Sequence, residues 1–173
     1  MINIVEIKAQ SSQSDEIRRK LLAKNAKFKG TDHQIDTYFN CPNGRLKLRQ
    51  GNIETTLIHY NRANQAGPKN SQVSLYKPKS DDANLNTVLN NAYGVKVIVD
   101  KQREIYFIEN VKFHIDTVKG LGHFVEIEAI DEKGEFTSEQ LQTQCNFYIN
   151  YLNIREEDLL EVSYSDMILE LKK

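Results

Sequence analysis

Ionisable side chains recur two residues apart in five segments whose composition is typical of β-strands. Residues 45–49 read Arg-Leu-Lys-Leu-Arg, and residues 125–129 read Val-Glu-Ile-Glu-Ala. The same spacing separates Glu6 from Lys8, Lys101 from Arg103, and His114 from Asp116. Because successive side chains of a strand point to opposite faces, each of these strands has one ionisable face and one mainly apolar face. The chain is therefore constrained to form a sheet with a charged side.

Two arrangements satisfy this constraint. In the first, the sheet is an ordinary amphipathic one, with its apolar face on the core and its charges in water. In the second, the sheet closes into a barrel whose apolar outer face is covered by helices and whose charged face lines an interior. Enclosed charges are costly unless they are paired or bind an ion or ligand. Arginines and lysines beside glutamates suit a polyphosphate with a divalent metal. Composition leaves both arrangements open.

The remaining pattern predicts an α+β chain, mostly antiparallel sheet with about three helices. Strands are predicted over residues 2–9, 34–41, 45–49, 55–61, 73–76, 94–108, 110–117 and 123–130. Helices are predicted to begin near Ser14 or Asp15, to cover residues 80–90, and to cover 137–152 with Ser138 as N-cap. Residues 63–71 are predicted to form a polar loop, and no element is assigned to residues 162–171.

Length and charge limit the classes of protein that fit. The 173 residues suffice for one domain, residues 1–173, and the net charge of -1 argues against a nucleic-acid-binding protein. No apolar run reaches the roughly 20 residues that span a bilayer. The first residues do not have the pattern of a signal peptide, so a cytoplasmic location away from membranes is expected. Cys41 and Cys145 predict no disulfide framework.

Several segments, in their order and spacing, resemble the CYTH superfamily, also called triphosphate tunnel metalloenzymes, which includes class IV adenylate cyclases and thiamine triphosphatases. The similar segments are Val5–Lys8, Gln34–Phe39, Gly44–Arg49, Leu57–Arg62, Lys101–Arg103, Val111–Asp116, Gly120–Phe124, Glu126–Glu128 and, for the cyclase-like branch, Tyr164–Asp166. The resemblance implies an eight-stranded antiparallel β-barrel with flanking helices, whose interior is a triphosphate tunnel. This is the second of the two arrangements.

The resemblance also implies roles for individual residues. The predicted ligands of a divalent metal, Mg²⁺ or Mn²⁺, are Glu6, Glu126 and Glu128. The predicted triphosphate-binding residues are Lys8, Arg45, Lys47, Arg49, Arg62, Lys101 and Arg103. His114 contacts the ligand or is a hydrogen-bonded interior histidine. The predicted catalytic residues are Tyr60, which orients a nucleophile or merely packs, and Asp116, which binds metal directly or through water or orients a neighbouring lysine.

One position departs from the family. The first glutamate of the N-terminal Glu-x-Glu-x-Lys signature falls at Ile4, so only Glu6 and Lys8 match it. Since the resemblance implies that the paired carboxylates hold metal, the change predicts weaker metal binding or one empty position of two. A changed substrate or a loss of catalysis is also consistent with it. Asn3 lies on the opposite face of the strand and is not a predicted ligand.

The predicted function is metal-dependent processing of a triphosphate. The resemblance favours a class IV adenylate cyclase that forms cyclic AMP and pyrophosphate. One alternative is hydrolysis of an organic or inorganic triphosphate, and another, motivated by Ile4, is nucleotide or polyphosphate binding without turnover. A third is an interaction protein whose charges point at water. The expected partner is a nucleoside or other organic triphosphate, or inorganic polyphosphate, and whether the chain forms a homodimer is open.

Overall fold

The protein is built from eight strands and four α-helices. The computed structural model describes residues 2–62, 67–78 and 83–173, and for Arg62 and Ala83 it describes the backbone alone. The strands are β1 Ile2–Gln10, β2 Lys27–Phe39, β3 Arg45–Gln50, β4 Thr56–Arg62, β5 Lys69–Tyr76, β6 Val95–Ile108, β7 Val111–Val118 and β8 Gly122–Asp131. The helices are α1 Ser14–Ala23, α2 Ala83–Tyr93, α3 Ser138–Tyr151 and α4 Tyr164–Glu170, with a 3₁₀ turn at Glu156–Asp158.

The eight strands form a closed barrel in the order β1-β5-β4-β3-β2-β6-β7-β8. Every neighbouring pair is antiparallel. Closure pairs the strands all the way round and removes the exposed edges that an open sheet would have. The predicted antiparallel eight-stranded barrel with flanking helices is confirmed.

The main hydrophobic core lies outside the barrel, between its wall and two helices. Ile7 on β1, Phe113 on β7 and Ile127 on β8 are fully buried there against Leu141 of α3 and Leu21 of α1. These are the apolar positions that alternate with the charged ones along each strand. A smaller cluster lies under α2, on the outside of β2 and β3. The helices thus cover the apolar faces, and the ionisable faces point inward.

Helix α4 packs across one end of the barrel and was not predicted from the sequence. Tyr164 packs against Val99, Val118 and Phe124, which lie at this end of β6, β7 and β8. Ser163 caps the helix, since its side chain accepts a hydrogen bond from the backbone of Asp166. Only seven residues form this helix, too few for a clear helical period.

The structure corrects several local predictions. Helix α1 has Gln13 as its N-cap residue, not Ser14 or Asp15. Helix α3 is capped by Thr137 rather than Ser138, because Thr137 forms a capping box with Gln140. Strand β5 begins within the predicted loop 63–71, and residues 63–66 lie outside the described residues, as do 79–82 at the start of the predicted second helix. Among the described residues, none of the helices combines the length and the apolar character that crossing a bilayer requires.

Candidate functional site

A cavity of about 380 Å³ runs through the interior of the barrel and is lined by residues of all eight strands. Its described cationic residues are Lys8, Lys29, Lys47, Arg49, Lys77, Lys101, Arg103 and Lys112. Its described acidic residues are Glu6, Asp36, Glu54, Glu126, Glu128 and Glu132. Charged residues are rarely buried unless they are paired. Because these charged residues line the interior of the barrel, the first of the two arrangements, with the charges in water, is wrong for this chain.

Three cations converge on one buried carboxylate, Asp36. Its oxygens accept hydrogen bonds from Lys101 Nζ at 2.8 Å, Lys47 Nζ at 3.0 Å and the guanidinium of Arg49 at 2.9 and 3.0 Å. Burial alone would raise the pKa of Asp36, but Arg49, Lys101 and Lys47 outweigh it and hold that pKa well below its ordinary value. Asp36 is therefore ionised, and it holds the ends of these three cations together.

Two carboxylates, Asp36 and Glu54, lie beside the three cations, with Glu54 Oε2 3.5 Å from Arg49 Nη1. Burial is the largest effect on Lys101 and lowers its pKa well below the ordinary value. Asp36 opposes that shift, while the positive charges of Arg49, Arg103 and Lys47 add to it. The positively charged side chains in this part of the interior therefore repel one another. An anion that enters the cavity would relieve the repulsion, so this region favours anion binding.

Arg103 is fixed by two carboxylates, one of which also accepts a hydrogen bond from a tyrosine. Its guanidinium donates to both oxygens of Asp116, at 2.7 and 2.5 Å, and to Glu126 Oε2 at 2.9 Å. The hydroxyl of Tyr164 donates to Asp116 Oδ2 at 2.8 Å. Asp116 is fully buried and lies behind Arg103 rather than among the residues that line the cavity. Through its contacts with Arg103 and Tyr164, Asp116 positions Arg103 and helix α4.

Strand register brings the predicted metal and phosphate residues into two neighbouring groups. Lys8 on β1 and His114 on β7 both lie opposite Glu126 on β8. Glu6 and Lys112 in the same way lie on either side of Glu128. Lys8 Nζ forms an ion pair with Glu126 and also lies 3.5 Å from the centre of the Tyr164 ring.

His114, Glu126 and Glu128 could hold a metal ion, because one potential ligand atom from each lies within 4.8 Å of the others. His114 Nδ1 is 3.0 Å from Glu126 Oε2 and 3.7 Å from Glu128 Oε1. Burial first, and then Arg103 and Lys112, lowers the pKa of His114 well below its ordinary value, so the imidazole is neutral, as a metal ligand must be. Its Nε2 has no hydrogen-bond partner among the described residues. Two carboxylates and an imidazole fit a divalent cation.

The other predicted site residues take different places. Tyr60, together with Lys47, lines the cavity. Arg45 extends to α4, where its guanidinium donates to Ser163 Oγ at 2.7 Å and pairs with Asp166 at 2.9 Å. The side chain of Arg62 lies outside the described residues.

Ile4 faces the cavity on the same side of β1 as Glu6 and Lys8. It lies opposite Ser71 on β5 and Ile130 on β8. The position that would hold the first signature glutamate thus points into the barrel, as strand alternation predicts. The isoleucine gives an apolar surface where a carboxylate was expected.

Sequence reasoning missed six charged residues that line the tunnel, Lys29, Asp36, Glu54, Lys77, Lys112 and Glu132. Asp36 lies in one of the segments that resemble the family. Lys112 lies two residues before His114 and therefore on the same, inner face of β7, so strand alternation alone could have indicated both residues. Glu54 comes from the loop before β4 and accepts a hydrogen bond from Lys112 Nζ at 2.7 Å. Burial would raise its pKa, but Lys112 and Arg49 lower it to about 2. No periodicity marks a loop residue of this kind.

Removing the Tyr164 hydroxyl tests whether α4 is tied to the charged interior. We expect Tyr164→Phe to lower the free energy of unfolding by about 1.5–3 kcal/mol, because a hydrogen bond to an ionised acceptor is lost. Tyr151→Phe is the matched control, since Tyr151 donates to the uncharged backbone oxygen of Lys20 at 2.9 Å. Urea denaturation of both variants provides the comparison. A loss no larger for Tyr164→Phe than for the control would contradict the role given to this contact.

The fold and the site define a class of protein, a closed antiparallel barrel with a charge-lined tunnel. The chain belongs to the CYTH domain family, whose model matches residues 3–164. Proteins of this family are metal-dependent and act on triphosphate substrates. These properties agree with the cations and the possible metal ligands of the interior.

Individual relatives are similar along most of their length. A Methanocaldococcus jannaschii protein named "Putative adenylate cyclase" is 26% identical in an alignment 182 positions long. The alignment covers 94% of this chain and 97% of the relative. The Pyrococcus horikoshii protein PH1012 has a similar structure, with a TM-score of 0.79, 23% identity, and coverage of 94% of this chain and 98% of its own. A Hippeastrum protein named "Putative adenylyl cyclase", with a dominant triphosphatase activity, has a TM-score of 0.63 and 12% identity, with 99% and 96% of the two chains covered.

Proposed function

We propose that residues 1–173 act as one domain that binds a triphosphate in the tunnel and processes it with a divalent cation, Mg²⁺ or Mn²⁺. The observation that carries this proposal is the cluster of Lys47, Arg49 and Lys101 around the buried carboxylate of Asp36. Cations gathered in this way suit the several charges of a polyphosphate, which arginine binds bidentately and lysine as a point charge.

Two groups of residues in the tunnel have different roles in this proposal. Lys8, Lys47, Arg49, Lys101 and Arg103 neutralise the phosphates. Glu126 and Glu128, with His114 beside them and Glu6 across from Glu128, would hold the metal, which supplies further positive charge to the phosphate oxygens. Phosphoryl transfer needs mainly such positioning and charge stabilisation from a protein. Tyr60, which faces the cavity, is the residue proposed to orient the attacking group.

The proposed reaction is that of an adenylate cyclase. The ribose 3′-hydroxyl of ATP attacks the α-phosphorus, the bond from this atom to the bridging oxygen breaks, and pyrophosphate leaves. Support comes from the name of the Methanocaldococcus relative and from the similarity of Tyr164-Ser165-Asp166 to the cyclase-like branch. Hydrolysis is the second candidate, because the similarly folded Hippeastrum protein has a dominant triphosphatase activity. Binding without turnover is the third, because Ile4 removes a signature carboxylate.

Parallel assays of three substrates distinguish these candidates. The protein is incubated with ATP, thiamine triphosphate or tripolyphosphate, each with Mg²⁺ or Mn²⁺, and cyclic nucleotide, pyrophosphate and phosphate are measured together. We expect cyclic AMP and pyrophosphate in equal amounts from ATP. Phosphate alone would favour the hydrolase, and tight binding without product would favour the binding protein. Absence of both binding and product for all three compounds would contradict the proposal.

Restoring the signature carboxylate is a direct test of the Ile4 position. We expect Ile4→Glu to raise the affinity for Mn²⁺ several-fold, because a third carboxylate would join Glu6 and Glu128 on the inner wall. Isothermal titration with MnCl₂ measures the change. Asn3→Glu is the matched control, since Asn3 lies on the outer face of the same strand and is exposed. Equal metal affinity in both variants would contradict this placement.

A further inference from the structure

One side of the tunnel carries a cluster of apolar side chains, with Ser71 on β5 beside it and with Lys77 and Glu132 lining the tunnel where β5 and β8 end. We name this surface the apolar wall; it consists of Ile2, Ile4, Ile58, Val73, Leu75 and Ile130. Strand register places these residues side by side, with Ile4 opposite Ile130 and Ile2 opposite Val73. The wall spans four neighbouring strands, β8, β1, β5 and β4, and the polar Ser71 lies beside it, opposite Ile4.

The apolar wall faces open space rather than a packed core. In its β5–β4 part Leu75 lies opposite Ile58, and Leu75 is 41% exposed. The hydrophobic core under α1 and α3 lies on the other side of the strands, so it does not cover this surface. Apolar surface in contact with water is unfavourable, and an apolar group that covered it would be bound favourably.

The wall lies next to the charged part of the tunnel. Along β1 the inner face changes from Ile2 and Ile4 to Glu6 and Lys8, and along β8 it changes in the reverse direction, from Glu128 to Ile130. At about 3.3 Å per residue, Ile4 and Lys8 are about 13 Å apart. The strands that carry the cations around Asp36, β3 and β6, are not part of the wall. The tunnel is therefore divided into a polyanion-binding part and an apolar part that adjoin each other.

We infer that the triphosphate taken by this tunnel is an ester whose organic group is apolar or aromatic, and that this group binds against the apolar wall. The inference rests on the proposed function and adds the class of the organic group to it. Ile4 is a specificity-determining residue in this account, because a carboxylate there would put a charge in the centre of the wall. The phosphates would occupy the neighbouring part, near Lys47, Arg49 and Lys101.

Two esters of equal charge test this inference. Methyl triphosphate and phenyl triphosphate differ in the organic group alone, and tripolyphosphate serves as the probe for anion binding. Isothermal titration in EDTA measures binding without metal-dependent turnover. We expect phenyl triphosphate to bind the wild-type protein at least tenfold more tightly than methyl triphosphate. In the double variant Ile4→Asn, Leu75→Asn we expect this preference to fall below threefold, with the Kd for methyl triphosphate changed less than twofold.

The control is Ile98→Asn, an exposed apolar residue of β6 that does not line the tunnel, and it should keep the full preference. Retained binding of methyl triphosphate shows that a variant is folded. Equal affinities of the two esters for the wild-type protein would overturn the inference and leave the proposed function intact. A double variant that keeps the preference, or that loses affinity for both esters alike, would also overturn it. If none of the three probes binds the wild-type protein, either in EDTA or with Mg²⁺ present, the proposed function itself is contradicted.

Discussion

Replacing Glu126 and Glu128 together by glutamine is expected to remove the metal response of the protein. The two carboxylates supply both oxygen ligands in the group that could hold a metal, and His114 supplies a nitrogen. We expect the affinity for Mn²⁺ to fall by at least about 100-fold, because changes even around metal ligands cost about 10–100-fold. Isothermal titration with MnCl₂ measures the loss.

The same double variant should keep its metal-independent binding of tripolyphosphate. Glu126 is paired with Lys8 and Arg103, so removing its negative charge makes the interior beside these cations more positive and does not oppose phosphate binding. Glu132→Gln is the matched control, because Glu132 also lines the tunnel, just after the end of β8, but is separated from Glu128 by Ile130. This variant should respond to Mn²⁺ like the wild-type protein. A double variant with an unchanged Mn²⁺ response would remove both glutamates from the metal site.

Replacing Asp36 by asparagine should destabilise the empty protein and strengthen its response to polyphosphate. Removing one partner of a buried ion pair costs about 3–5 kcal/mol, and here three cations lose their common counter-charge. We therefore expect a loss of this size in the free energy of unfolding at pH 7. Since the variant has one negative charge fewer beside these cations, tripolyphosphate should raise the melting temperature of the variant by more than it raises that of the wild-type protein.

The effect of Asp36→Asn should depend on pH. The pKa of Asp36 is lower in the folded protein than in the unfolded chain, so its ionised form stabilises the protein above the unfolded pKa of about 3.9. This contribution is lost as the pH falls through the lower, folded pKa, and the difference in the free energy of unfolding between wild type and variant should narrow there.

Asp32→Asn is the control for the response to tripolyphosphate, because Asp32 accepts hydrogen bonds from the backbone amides of Ile53 and Glu54. A larger response to tripolyphosphate in both variants, or in neither, would contradict the account.

Much of the barrel could be predicted because charged and apolar residues alternate in parts of several strands. The alternation in residues 45–49 and 125–129 fixes which side chains share a face, whichever face turns inward. It left open whether that face was inside or outside, since an amphipathic sheet has the same pattern. The resemblance favoured the interior, and the packing of Ile7 and Ile127 under α1 and α3 confirms it.

The partners of the charged residues could not be predicted, because they depend on contacts between strands distant in sequence. Arg45 has the spacing of Lys47 and Arg49, yet it pairs with Asp166 of α4, a helix that the sequence did not indicate. Asp116 has the spacing of a cavity residue and lies behind Arg103. The group that could hold a metal contains His114, which no metal-ligand spacing marked. The roles assigned to these residues stay predictions.

The central claim is that phosphates bind within the barrel, at the cations gathered around Asp36. A crystal structure of the protein with tripolyphosphate and Mn²⁺, using the anomalous signal of manganese, tests this most directly. The account predicts phosphate oxygens within hydrogen-bond distance of Lys47, Arg49 and Lys101, and a manganese peak beside Glu126 and Glu128. Phosphate and manganese bound on the outer surface, with the tunnel holding water alone, would contradict it.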